Sequence, residues 1–266
     1  GYQSIDSNQY LVWGKSMKEE MIKYQDAKKD NVVEVGSILF DMYNDKSFIL
    51  PINKLKTKNS QNIKNGYALV ITNSPHYPYN LEIIKYLRKH IQSEIKLVIR
   101  LHPLYNDHYA KEELALHKDY DRVESNVVYF YPKSSSCALS ADMSFEEIQL
   151  SASLIANAGV IVNSMSTMIL DGLICNTPVV NIAFDWKRNV LIYLLASKQE
   201  YRIHLKRILK ADGLFLAKNR KELISLINKL PLSKKLEYNK SNKVIIKNEC
   251  GTIDGNASIN IAKNII

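Results

Sequence analysis

Two short stretches carry the polar residue types from which a phosphate-handling site could be built. The first is Asn163–Asp171, reading NSMSTMILD. It holds three hydroxyls, Ser164, Ser166 and Thr167, and then the carboxylate of Asp171. The apolar run Gly159–Val162 precedes it, and Met168–Ile174 has helical spacing with Ile169, Leu170, Leu173 and Ile174 on one side. A hydroxyl turn between strand and helix puts Ser166 or Thr167 at the N-cap. There the first N–H groups lack intrahelical partners and the helix dipole is positive, and both favour a phosphate. Asp171 falls one turn after Thr167 on the same face, about 5–6 Å along the axis. That spacing suits a phosphate at the turn and a ribose diol at the acid. The same residues would serve equally as ordinary caps and a solvated acid.

The second stretch is Arg100–Pro103, reading RLHP. Arg100 stands at the end of the apolar strand Ile95–Leu101, His102 follows at once, and Pro103 biases the chain there toward an extended course. Arginine and histidine so placed could contact a diphosphate or donate to a leaving phosphate. The structural alternative is a salt bridge for Arg100 and a strand-end contact for His102. Ser74 and His76, in the loop Asn73–Asn80 (NSPHYPYN), could meet phosphate or sugar, or belong to a loop shaped by Pro75 and Pro78. His90, His108, His117 and His204 fall in helical contexts and read as surface or structural residues. The acids show no glycosidase-like pair, and HExxH, EF-hand, GxSxG, Walker A and GxGxxG sequences are absent. A nucleotide site here is therefore not of the P-loop or dinucleotide kind, and no metal is implied.

The elements that must position these residues alternate. Strands are expected at Tyr67–Thr72, Ile95–Leu101, Asn126–Tyr131, Gly159–Val162, Val179–Ile182 and Gly213–Leu216. Helices are expected at Leu81–His90, Asp107–His117, Ser144–Ala156, Met168–Ile174, Trp186–Ser197 and Asn219–Leu230. Ser144 and Glu147 form a capping-box pattern. The repeat predicts an α/β, Rossmann-like, doubly wound parallel sheet, whose ligands bind beyond the carboxyl ends of the strands. The loops 73–79, 100–103 and 163–167 all lie at such ends. Before this region come a strand at Tyr10–Trp13, a helix at Lys15–Gln25 and a strand at Asn31–Val35. A brief strand is expected at Phe48–Ile52, and Asn44–Asn65 reads as a polar linker. Lys-rich Pro231–Lys247 reads as helix plus connector, and Asp254–Ser258 caps a last helix to Ile266. The expected division is 1–58, the end of one domain plus a linker, and 59–266, a nucleotide-binding domain.

Hydrophobic content of 46% and charged content of 24% are ordinary for a globular protein. No apolar run is long enough to span a bilayer. Cys137, Cys175 and Cys250 are widely spaced, without a CxxC pair. That argues against a disulfide framework or structural zinc and fits a reducing cytoplasm. The net charge of +9 favours polyanions, acidic headgroups or phosphorylated substrates. Its lysines are scattered and no nucleic-acid motif accompanies them, so no nucleic-acid partner is expected.

RLHP (Arg100–Pro103), NSMSTMILDG (Asn163–Gly172) and NTPVV (Asn176–Val180) together resemble the donor-binding half of GT-B glycosyltransferases. The likeness is closest to the CDP-glycerol glycerophosphotransferases of teichoic-acid synthesis and to capsule polysaccharide transferases. Those enzymes show an R-x-H-P strand end and a T-D-Y-S-S segment leading into a helix with an acidic residue. In the resemblance His102 matches the histidine, Ser166 and Thr167 the paired hydroxyls, and Asp171 the acid. IDGNAS (Ile253–Ser258) resembles the family's C-terminal end. VWGKSMKEEM near the start and VVEVGSILFD (Val32–Asp41) resemble the end of its acceptor domain. Asn163-Ser164 stands where Thr-Asp is usual, which leaves CDP, CMP and UDP all open as donor nucleotide. Asn176 stands where Gly is common, and asparagine tolerates the left-handed conformation.

The resemblance implies a nucleotide-activated sugar or polyol donor held by this half. The donor is a substrate, and no metal or other cofactor is implied. Arg100 and His102 would stabilise the departing phosphate. Ser74, His102, Asn163, Ser164, Ser166 and Thr167 would hold the donor and Asp171 its ribose. The acceptor would belong to a missing N-terminal domain. The location would be cytoplasmic, with room for peripheral association at the inner face of the cell membrane. A UDP-sugar 2-epimerase-like enzyme and a non-catalytic nucleotide-binding module are the alternatives.

Overall fold

The structure, a computed structural model, describes residues 8–55, 63, 66–106, 110–124, 126–133, 143–164, 166–191, 203–230 and 240–265. In chain order its elements are β1 (Tyr10–Val12), α1 (Lys15–Tyr24), β2 (Val32–Glu34), α2 (Ile38–Asp41), β3 (Ala68–Ile71), α3 (Asn80–His90), β4 (Leu97–Arg100), α4 (Lys111–Val123) and β5 (Val127–Phe130). Then come α5 (Phe145–Asn157), β6 (Val160–Asn163), α6 (Met168–Ile174), β7 (Val179–Ile182), β8 (Phe184–Asp185), β9 (Val190–Leu191), α7 (Ile203–Ile208), β10 (Leu214–Ala217), α8 (Arg220–Lys229), α9 (Lys240–Cys250) and α10 (Ala257–Ile265).

Five runs rich in β-branched residues and the half-buried edge run LFLA of β10 pair, all parallel, in the order β10-β7-β6-β3-β4-β5. The inner strands are buried on both faces, which is why they read as continuous apolar runs and not as alternating ones. On one face Val70, Leu97, Val160 and Val180 form a core with Ile83, Ile84 and Leu87 of α3, Leu114 of α4 and Leu223 and Ile227 of α8. The opposite face receives α5 and α6. Gly172 of α6 lies so close to it that a Cβ there would come 2.6 Å from Val179 Cγ2 and 3.0 Å from Ile161 Cδ1. Asn176, just after α6, takes the left-handed conformation with φ 53°, as the sequence suggested. The chain runs outward from β3 to β5, then returns to the other side of β3 at β6. The winding therefore reverses between β3 and β6, where a doubly wound sheet opens a crevice at its carboxyl ends.

The structure separates two units: Leu50–Tyr201 with Gly213–Glu237, which holds this sheet, and Gly1–Ile49 with Arg202–Asp212 and Tyr238–Ile266. This differs from the expected division into 1–58 and 59–266. The last helices return to the first 49 residues through long-range polar contacts that no local pattern reveals. Asp41 accepts from the N–H groups of Gly255 and Ala257, each at 2.7 Å. Arg207 pairs with Glu20 and Glu249, and Ser16 Oγ donates to Glu249 at 2.7 Å. Within this unit β1 and β2 are parallel. Gly251, at φ 82°, sits so near the chain after β1 that a Cβ would come 2.3 Å from the Trp13 carbonyl.

Three further expectations are corrected. Phe48–Ile52 is no strand: the Phe48 N–H donates to the Asp45 carbonyl in a turn, and a single 3-10 turn follows at Ile52–Lys54. Trp186 does not open a helix. β8 pairs antiparallel with β9 across a turn at 186–189. Asp185 Oδ1 accepts from Arg188 N–H, Asn189 takes φ 55°, and Trp186 is buried with its indole N–H on Glu82 at 2.8 Å. Residues 192–197 of that expected helix lie outside the described residues. The helix expected at Asp107–His117 begins at Lys111 and runs on to Val123, with 107–109 outside the described residues.

Candidate functional site

The carboxyl ends of β3, β4 and β6 bring Thr72, Asn73, Arg100, His102, Asn163 and Ser164 to one edge of the sheet. Between β3 and β6 lies a small cavity of about 10 Å³, lined by Thr72, Asn73, Asn80, Asn163 and Ser164 over a floor of Val70, Ile83, Val162 and Ile182. Among its lining residues there is no carboxylate.

His102 is fixed from both sides. Its backbone N–H donates to Thr72 Oγ1 at 2.9 Å, which joins the tips of β3 and β4. Its ring Nδ1 accepts from the Leu104 N–H at 3.2 Å. With Nδ1 accepting, the proton of the neutral ring sits on Nε2, leaving that N–H as a donor. Burial first, and the Arg100 guanidinium second, hold the imidazole below the ordinary histidine range. His102 is therefore neutral at pH 7.

Arg100 does not share this exposure. It is buried, with NH2 on Glu147 and Nε donating to Ser151 Oγ at 3.2 Å, both on α5. The salt bridge named as the structural alternative for Arg100 is present, with a carboxylate from the neighbouring helix meeting it in the interior, while its Nη1 is buried without a hydrogen-bond partner. Ser144 caps α5 as expected, accepting from Glu147 N–H at 3.3 Å. The Glu147 side chain leaves the capping box open and turns to Arg100.

Asn163 is the last residue of β6, paired in register with Asn181 of β7. It is 2% exposed, and neither Oδ1 nor Nδ2 has a hydrogen-bond partner. Ser164 beside it is half-buried. The turn that follows departs from simple capping. Thr167 is the N-cap, exposed and without a side-chain cap bond, while Ser166 Oγ accepts from Met168 N–H at 3.2 Å. Asp171 is half-buried in the first turn of α6.

The loop after β3 is organised by a residue the sequence reading passed over. Asn80 opens α3, and its Oδ1 accepts from Asn73 N–H at 3.0 Å. Its Nδ2 lies 3.2, 3.1 and 3.1 Å from the carbonyls of Asn73, Ser74 and Tyr77 and 2.8 Å from the Tyr105 hydroxyl. Ser74 is thus held in place through its backbone, and His76 is exposed. The closing Asn of NSPHYPYN was the available signal, since asparagine at a helix start bonds nearby backbone. Thr72 was missed for a plainer reason: its partner is 30 residues away. His117 is structural as read, buried with Nδ1 against the Tyr129 hydroxyl at 3.2 Å, and His90 Nδ1 meets the Tyr86 carbonyl. His108 and the side chain of His204 lie outside the described residues.

No family model and no curated protein matches this chain. Solved structures do. A UDP-GlcNAc 2-epimerase from Methanocaldococcus jannaschii, in complex with UDP-GlcNAc and UDP, is similar over 98% of this chain and 62% of its own, with a TM-score of 0.58 at 13% identity. A variant of the wall teichoic acid polymerase TagF soaked with CDPG is similar over 97% of this chain and 55% of its own, with a TM-score of 0.58 at 13% identity. The chain spans little more than half to three fifths of the length of these structures. The likeness shows the fold: an α/β, Rossmann-like arrangement of the GT-B kind.

Proposed function

We infer that this chain is the donor-nucleotide-binding half of a GT-B transferase. It would bind a nucleotide-activated sugar or polyol, carried on CDP, CMP or UDP, for transfer to a cell-surface polysaccharide. The observation that carries the reading is the crevice where the winding reverses, lined by polar side chains and an unpartnered amide. The Nε2–H of His102 suits the departing phosphate, since a donor aimed at developing charge stabilises the transition state. Ser164, Ser166 and Thr167 offer hydroxyls to the phosphates, Ser74 reaches from the neighbouring loop, and Asp171 takes the ribose. The acceptor, and the base that activates it, belong in this reading to a separate half of the transferase. With a cell-envelope acceptor, the net charge of +9 favours peripheral contact with anionic lipid. Among the described residues no helix is long and apolar enough to cross a membrane.

The epimerase alternative has the same TM-score behind it. It needs groups that remove and return a proton at a sugar carbon. The small cavity between β3 and β6 has no carboxylate among its lining residues, Glu147 is committed to Arg100, and Asp171 is assigned to the ribose. That favours the transferase. Calorimetric titration of the chain with CMP, CDP, UDP, CDP-glycerol and UDP-GlcNAc tests the inference. Saturable binding of at least one is expected, and binding of none overturns it.

A further inference from the structure

We propose that Asn163 forms the seat for a single hydroxyl group of the bound donor, which makes it a specificity-determining residue. The proposal rests on the nucleotide-binding reading above and says which chemical group meets the unpartnered amide of the crevice. Asn163 is 2% exposed, and both polar atoms of its amide are buried without a partner. A buried amide left so costs stability, and native structures rarely keep one without use. It lies against the cavity of about 10 Å³, which holds about one water-sized group.

The amide is both donor and acceptor, so its two unmet needs define the group that fits. A phosphate oxygen accepts only and would leave Oδ1 unmet. An ammonium donates only and would leave Nδ2 unmet. A hydroxyl does both, and it matches the cavity in size. The conclusion is the same whichever way the amide is turned, because both atoms are unpartnered. The neighbours reinforce it. Asn80 is committed to the loop after β3, and Thr72 Oγ1, which accepts from His102 N–H, makes no bond to Asn163. The hydroxyl has two possible sources, the ribose and the transferred sugar or polyol.

The test pairs ligands with and without one hydroxyl against variants with and without the amide. Wild type, Asn163→Leu and Asn163→Ala are titrated with UDP, 2′-deoxy-UDP and 3′-deoxy-UDP for the ribose, and with CDP-glycerol and CDP-propanediol for the polyol. Wild type should prefer one hydroxyl-bearing ligand over its deoxy analogue by about tenfold or more. Both variants should lose that preference while binding the deoxy analogue as wild type does. Which pair shows the effect identifies the source. Without ligand, Asn163→Leu should melt no lower than wild type, since the amide has no bond to lose. A variant that weakens all ligands alike, or none, reduces Asn163 to a packing residue or the host of a buried water and overturns the proposal alone. A lower melting temperature for Asn163→Leu, with the ligand preference intact in Asn163→Ala, does the same. Failure of wild type to bind any of the nucleotides overturns the proposal together with the function it rests on.

Discussion

The backbone N–H of His102 donates to the hydroxyl of Thr72 at 2.9 Å, tying the tip of one central strand to the tip of the next. Parallel neighbours exchange backbone bonds along their length, but their ends are free to splay. Here a side chain closes the last gap. The imidazole that follows is therefore held in position before any ligand arrives.

His102→Ala should weaken binding of a nucleoside diphosphate by roughly 1.5–3 kcal/mol, ten- to hundredfold, and leave nucleoside binding nearly unchanged. Stability should fall by no more than about 1 kcal/mol, because the ring gives up one bond to Leu104 N–H while the Thr72 bond belongs to the backbone. Paired titrations with cytidine and CDP, or uridine and UDP, read the first effect and thermal melts the second. Equal losses for nucleoside and diphosphate, with a marked drop in melting temperature, would make His102 a packing residue.

Arg100→Met alone should destabilise by about 3–5 kcal/mol, since it leaves the Glu147 carboxylate buried and uncompensated. Adding Glu147→Leu should recover most of that loss. The double variant should then bind nucleotide like wild type. If it refolds fully yet binds at least tenfold more weakly, Arg100 contacts the ligand after all. Urea melts and calorimetry on the two variants decide this.

Asp171→Ala should weaken nucleotide binding by roughly 1.5–3 kcal/mol through loss of charge-assisted bonds to the ribose. Titrations with CMP, CDP and UDP check it. Unchanged affinity for all three, with the fold intact, removes Asp171 from the site.

His117 gives a pH signature of the core. Burial pushes its imidazole down to about 4 from 6.5, with the Lys85 charge adding in the same direction. The folded state thus binds the proton less readily than the unfolded chain. Stability from this group is complete above pH 6.5 and is lost as the pH falls toward 4, by about 3 kcal/mol. His102 shifts in the same direction. In urea melts at pH 7, 5.5 and 4, His117→Leu should show a flatter decline than wild type. A parallel decline would show that His117 is not the responsible group.

The central strands and α6 were legible because each carries its own signal. Val179–Ile182 and Met168–Ile174 have the same bounds in sequence and structure, since periodicity and the Asn-Thr-Pro stop are local features. The hairpin at Phe184–Leu191 was misread because LIYLL after Asn189 suggests helix. The turn was announced by Asp185 and Asn189, residues that bond to their own backbone and tolerate positive φ. Arg100 was hidden for another reason. Strand-end arginines look alike in sequence whether they face a ligand or a carboxylate, and Glu147 lies 47 residues away. Asn163 was placed at the site by sequence, but its lack of any partner is visible only when everything around it is positioned.

The bonds from Asp41 to Gly255 and Ala257 also set an order in time. At about 5–20 residues per second on the ribosome, the 216 residues between Asp41 and Ala257 take roughly 10–40 s to make. Throughout that interval Asp41 waits without these two partners, and by its end every strand of the six-stranded sheet has been translated. The sheet unit can therefore close during synthesis. The other unit closes these bonds only once Gly255 and Ala257 have been made, after the whole sheet.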